Sequence, residues 1–293
     1  MMRNYRWALG FAGAVAVATT GFAQSAEVRT DEEVLARTVN PSREHQLQPW
    51  PAHRIIGNTY YVGTRNLGSF LITTSEGHIL VNTTFEETLP LVRDSVEELG
   101  FEWEDIEIVL GSHAHRDHMS ANALMKEQTG AEMMVMADDV PLVIEMTPED
   151  KPHSIDRVLQ HGDTVMLGDV TMTAHHTPGH TPGATAWTYE VEEDGETYDV
   201  LIFGAATATP RLDVTSPELQ EQFQRAFLVQ RSLPCDVPLG PHTPMYDMEA
   251  KHAHLVENDG AENPFIDPEG CQEQMSYEER VFYLRYRDAV HSD

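Results

Sequence analysis

The sequence predicts an α/β protein built as two similar, layered halves. Three observations predict it. Short β-branched apolar runs fall into two groups, near residues 55–81 and 164–203. Stretches with apolar residues at helical spacing follow each group, and Gly, Asn or Pro separates nearly every run. At 293 residues the chain is long for an average domain, yet layered α/β architectures often reach roughly 200–250 residues around one core. One domain over 24–293 is therefore expected, behind a leader.

The leader comes first. Met1 to Arg6 carry positive charge, an apolar run extends from Trp7 to Val17, and small residues lead to Ala23. This is the order of a secretory signal over 1–23, cut after Ala23. The run is too short to span a bilayer comfortably, so an uncleaved anchor is the weaker reading. The mature chain is expected to be periplasmic or secreted, with no membrane partner.

The elements then follow in order. Residues 24–48 are polar, with a helix predicted over 31–38. Strands are expected at 55–62, 70–73 and 78–81 as an antiparallel meander. Leu89, Val92, Val96 and Leu99 are spaced for a helix, with Thr88 as N-cap, Pro90 in the first turn and Gly100 as the stop. A buried strand over 106–110 runs into Gly111 and Ser112, a helix is expected over 119–128, and a strand over 133–136. After a polar stretch, a second meander covers 164–167, 170–174, 185–189 and 200–203. Ser216-Pro217 starts a helix to about 229, a strand ends near Gly240, and 277–287 closes the chain as a helix.

Formal charge is −29. A surface that acidic repels phosphate backbones, which disfavours nucleic-acid partners. The acids are dispersed in small groups, as in a solvating shell. The two cysteines, Cys235 and Cys271, lack the close Cys or His neighbours of a metal site, and in an exported chain they read as one disulfide in preference to free thiols.

Ser112-His-Ala-His-Arg-Asp-His118 gathers three imidazoles and a carboxylate at the end of a buried strand. Unpaired, such groups would be costly there, so coincidence is a poor explanation. His113 and His115 can point to one side while Asp117 and His118 face a second position. Imidazole with carboxylate suits zinc, and a site with fewer than four protein ligands leaves room for water. His180, in the loop Thr177-Pro-Gly-His-Thr-Pro-Gly183, and His242, after Gly240-Pro241, are the further partners. The remaining histidines read as surface residues or supports, with His176, close to the His180 loop, foremost among them.

The HxHxDH run, the TPGHT loop and the late histidine resemble the metallo-β-lactamase superfamily, over residues 53–290. Ser154 to Asp163, Thr173 to Gly183, Leu233 to Asp236 and Asn263 to Cys271 resemble its third subclass of class B β-lactamases more specifically. The resemblance implies an αββα sandwich with two Zn2+ ions, one on His113, His115 and His180 and the other on Asp117, His118 and His242. It also implies a Cys235–Cys271 disulfide. The implied activity is hydrolysis of the β-lactam amide by a metal-held hydroxide that Asp117 orients, inactivating a small-molecule antibiotic, in a monomer.

Many hydrolases of the superfamily place a metal-bridging aspartate after an apolar strand, where Leu201-Ile-Phe-Gly-Ala205 ends in alanine here. That argues against glyoxalase-II-like enzymes, many lactonases and ribonuclease-Z-like enzymes, and fits the lactamase subclass. The next loop, Ala205 to Pro210, has alanines and threonines in place of the serines usual near the substrate carboxylate, leaving Thr207 and Thr209 as substrate contacts. Two rivals stand beside this reading: a metallo-hydrolase of lactones or other esters, and a periplasmic zinc-binding protein without activity.

Overall fold

The computed structural model describes residues 30–37, 42–148, 151, 154–258 and 262–291. The signal expected over 1–23 lies outside them. In chain order the elements are α1 (Asp31–Arg37), α2 (Arg43–Leu47), β1 (His53–Ile56), β2 (Thr59–Tyr61), β3 (Phe70–Thr74), β4 (Gly77–Val81), α3 (Leu89–Glu98), β5 (Ile106–Leu110), α4 (Arg116–Met119), α5 (Asn122–Thr129), β6 (Glu132–Met136), α6 (Val140–Met146) and β7 (Arg157–Leu159). The second half contributes β8 (Thr164–Leu167), β9 (Val170–His176), β10 (Thr185–Glu193), β11 (Glu196–Ile202), α7 (Pro217–Ser232), β12 (Val237–Leu239), α8 (Met248–Glu257) and α9 (Pro268–Val290).

Each half makes its own sheet. The first has the order β1-β2-β3-β4-β5-β6-β7 and the second β12-β11-β10-β9-β8. Strands joined by tight turns pair antiparallel, from β1 to β4 and from β8 to β11. The parallel pairs β4/β5, β5/β6 and β6/β7 need long crossovers, supplied by α3, α5 and α6, and α7 serves β11/β12.

Side-chain alternation stacks the layers. Phe70, Ile72, Ile79, Val81, Ile108 and Leu110 face the second sheet, where Trp187, Val200 and Ile202 meet them in one core. The intervening Leu71, Leu80 and Val109 face outward, against Leu89, Val92 and Val96 of α3 and Met125 of α5. On the far side Ala186, Leu201 and Phe203 pack against Met275 of α9. Period-two strands with both faces apolar thus produce the expected αββα sandwich.

Several boundaries differ from expectation. The strand expected over 55–62 is the hairpin of β1 and β2, because Gly57 turns the chain at φ +50°. The helix expected from 119 comes in two pieces, α4 and α5, because the Ala121 N–H leaves the helical ladder and donates to the Thr84 carbonyl. The closing helix starts at Pro268, nine residues early, capped by Asp267, which accepts the Gly270 N–H at 2.9 Å. Helix α7 starts as read, with Ser216 capping it and Pro217 in its first turn.

Cys235 and Cys271 are joined in a disulfide across a separation of 36 residues. It ties the entry to β12, and so the chain leading to His242, to the first turn of α9. Loop-closure entropy for a loop of this length is about 4 kcal/mol. Reduction should therefore lower Tm by on the order of 10 °C; an unchanged Tm in reductant would show that the link adds nothing to the fold. Among the described residues no helix is long and apolar enough to cross a membrane.

Candidate metal centre

Strands β5, β9, β11 and β12 all end at one rim of the sandwich, and each leads into a loop of the site. Leaving β5, the chain turns sharply. Asn82 at the end of β4, at φ +68°, accepts the Ser112 N–H on Oδ1 at 2.9 Å and donates Nδ2 to the Gly68 carbonyl. Asparagine tolerates that left-handed backbone better than most residues. Thr185 N–H donates to the Ser112 carbonyl at 2.7 Å, so the turn is held by both sheets.

The six residues singled out from the sequence converge here. His113, His115 and His180 have ring centroids 4.7 to 4.9 Å apart. Beside them Asp117 Oδ2 lies 3.5 Å from His118 Nε2 and 3.7 Å from His242 Nε2. In each triad the ligand atoms all lie within 4.8 Å of one another. A zinc ion held tetrahedrally at about 2.0–2.1 Å would need ligand atoms roughly 3.3 Å apart, so modest closure suffices. No other His, Cys, Asp or Glu triad of this kind occurs among the described residues.

Burial shows what these residues are suited to bind. His118 is 0% exposed, and neither of its ring nitrogens has a hydrogen-bond partner among the described residues; the same holds for His113 Nε2. Groups left in that state cost free energy unless a cation takes their lone pairs. Burial holds His113 well below the usual imidazole range, His118 at about 3 and His180 at about 4. Neutral imidazoles are what a metal requires. Burial pushes the Asp117 carboxyl up, but His118, His242 and His115 pull harder and bring it to about 2. The residues fit a pair of cations.

Two histidines are aimed by their outer nitrogens. His180 Nδ1–H donates to the Thr207 carbonyl at 2.7 Å, and His242 Nδ1–H donates to Asn66 Oδ1 at 2.9 Å, which turns each Nε2 lone pair inward. Gly179 makes the turn before His180 possible: its φ is +133°, and a Cβ there would sit 3.0 Å from the Phe223 ring. Gln46 of α2 donates to Asp117 Oδ2 at 3.2 Å.

The two histidine loops are clamped together by Asp139, which is 1% exposed. It accepts from the Ala114 N–H at 2.8 Å, the Thr181 hydroxyl at 2.8 Å and the Gly183 N–H at 2.7 Å. Burial raises its pKa against the pull of these donors. Asp139, Asn66, Gln46 and the Thr207 carbonyl were not visible in the sequence reading; the only signal was an acidic pair, Asp138-Asp139, at the end of a buried strand. His176 is not in either triad; its Nε2 lies 2.7 Å from the Pro182 carbonyl and supports the His180 loop. In the loop after β11, Ala206 and Ala208 are buried against Phe223, Phe227 and Phe282, while Thr207 and Thr209 are half-buried.

Without metal, these histidines set a pH dependence. Unfolding releases His118 and His180 to an ordinary pKa of 6.5 from about 3 and about 4, so the unfolded chain binds protons first as pH falls. The chelator-treated fold should keep this contribution above about pH 6.5 and lose stability progressively toward pH 4. Urea midpoints measured across that range check it; a flat profile would contradict it.

The model of the metallo-beta-lactamase superfamily matches residues 68–237. Among solved structures, the native FEZ-1 metallo-beta-lactamase of Legionella gormanii has a TM-score of 0.77 at 36% identity, covering 83% of this chain and 98% of that one. BJP-1, a subclass B3 metallo-beta-lactamase of Bradyrhizobium japonicum, has a TM-score of 0.79 at 33% identity, covering 85% and 98%. A hydroxyacylglutathione hydrolase of Hyphomonas neptunium is 35% identical over 85 residues, 29% of this chain. That match spans only 30% of the relative's length.

Proposed function

The chain belongs to the metallo-beta-lactamase superfamily, and from that premise we propose that it is a two-zinc β-lactamase opening the amide of small-molecule lactams. His113, His115 and His180 would hold one ion, and Asp117, His118 and His242 the other. Bound zinc supplies Lewis acidity, polarising the lactam carbonyl and lowering the pKa of a water toward neutrality. The protein's own groups supply the geometry. Asp117, ionised and steadied by Gln46, accepts a hydrogen bond from the attacking water and so aims it. Thr207 and Asn66 fix the tautomers of His180 and His242. Thr207 and Thr209 are the candidate contacts for the substrate carboxylate. When the water oxygen bonds to the carbonyl carbon, the C–N bond breaks and the water's proton ends on nitrogen.

The observation that carries the lactam reading over a thioester one is Ala205. It follows β11 where a bridging carboxylate would stand, and it is buried against the fold. The match to hydroxyacylglutathione hydrolases favours a second reading, a thioesterase or lactonase on the same metals. A side-by-side assay separates them: a penicillin, a cephalosporin and a carbapenem against a hydroxyacyl thioester of glutathione and a lactone, all with zinc. The proposal requires the highest kcat/KM on a β-lactam; the reverse order would replace it with the second reading. Export to an oxidising compartment belongs to the same proposal, supported by the disulfide.

A further inference from the structure

The carbonyl that aims His180 sits on a loop that would not hold its shape alone. Ala205, at its start, has φ +67°, a left-handed conformation that a non-glycine residue adopts only at a cost. Such backbone persists only where its surroundings enforce it. Ala206 and Ala208 pack down against Phe223, Phe227 and Phe282, but apolar contact is non-directional and cannot aim a carbonyl.

Direction has another source beneath the loop. Glu278 of α9 is 0% exposed. Its Oε1 accepts the Ala206 N–H at 3.2 Å and Gln274 Nε2 at 3.1 Å. Burial pushes its pKa up to about 7, against the pull of Gln274 and of the Ala206 N–H. Its Oε2 has no hydrogen-bond partner among the described residues. A buried carboxyl in this state is a costly choice where an apolar side chain would pack, and it holds the loop at the Ala206 N–H, next to Thr207, whose carbonyl aims His180.

We propose that Glu278 is a positioning residue for the first metal triad: it fixes Ala206 and so the adjoining Thr207, and through the Thr207 carbonyl it holds the His180 ring with Nε2 toward the metal. The chain of contacts runs from α9 through the loop to the ligand with no direct contact between Glu278 and His180. The inference rests on the reading of His180 as a ligand.

Glu278→Met keeps the volume and removes the acceptor; Glu278→Gln keeps an acceptor oxygen. Two readouts apply to the full chain: ring 15N shifts of His180 in chelator-treated protein, and stepwise binding of zinc and of cobalt, followed by the cobalt spectrum. In Glu278→Met the His180 ring should lose its single Nδ1–H tautomer, and first-triad affinity should fall at least ~10-fold while the second triad titrates as in the parent. Glu278→Gln should recover most of both. A folded Glu278→Met with the parental tautomer and parental first-site affinity overturns the inference, and Glu278→Ala carries the same test if the methionine variant does not fold. A parent protein that binds no zinc defeats the proposed function instead; one that binds two, with Glu278→Met indistinguishable from it, defeats only this inference.

Discussion

His118→Ala is expected to hold about one zinc ion where the parent is expected to hold two, and to lose β-lactam turnover by roughly 100-fold or more, beyond the 10–100-fold typical of outer-shell partners. The same substitution should leave the metal-free fold nearly as stable as before. His118 is fully buried with both ring nitrogens unpartnered, so its removal relieves a desolvation cost while opening a cavity. The two effects offset to within about 2 kcal/mol. Opposite behaviour of metal content and metal-free stability marks a ligand, whereas a structural histidine would lose stability alone. Zinc analysis, turnover and urea unfolding of the one variant decide it; parental zinc content and turnover would count against His118 as a ligand.

Asp139→Ala should be the most destabilising single change near the site. It strands the Ala114 N–H, the Gly183 N–H and the Thr181 hydroxyl in a buried setting. At about 1–3 kcal/mol for each unsatisfied group, the loss is on the order of 4 kcal/mol. Asp139→Asn should fall between, because one of its two polar atoms becomes a donor facing donors. Zinc affinity should drop with stability in both, since Asp139 joins the His113–His118 turn to the His180 loop. Unchanged urea midpoints would show that the two loops hold their places without it.

The candidate ligands were legible in the sequence because four of the six fall within six consecutive positions, and spacing that close is a local pattern. The supports were invisible for the opposite reason. Asn66 meets His242 across 176 residues, Gln46 meets Asp117 across 71, and Glu278 meets Ala206 across 72. Nothing in the neighbourhood of Asn66 or Glu278 distinguishes either from an ordinary polar residue. The same contrast governs the fold. Strand β5 was readable to the residue, because Ile106, Ile108, Val109 and Leu110 stand apolar around the single exposed Glu107, between clear punctuation. Helix α8 was not read, as its one buried residue is Met248 and it presents no apolar stripe. Helix α6 was missed too, since Val-Pro-Leu-Val-Ile carries strand-forming residues and only Pro141 in the first turn hints at a helix.

The alanine-rich loop shows why residue type alone misleads. From the sequence, Ala205 to Pro210 reads as a binding loop stripped of its polar groups. In the fold, Ala206 and Ala208 are core residues against α7 and α9, and Thr207 acts on His180 through its main-chain oxygen. A carbonyl is present at every position, so no sequence pattern announces which one is used.

These six side chains are proposed to hold two zinc ions, and the pair to open a β-lactam. To test this, the purified protein is stripped with a chelator and zinc is titrated back while hydrolysis of a penicillin, a cephalosporin and a carbapenem is followed. Turnover should be absent without zinc, and activity on at least one of the three should rise with occupancy and level off near two equivalents. Full occupancy of both sites with no turnover of any of the three would contradict it.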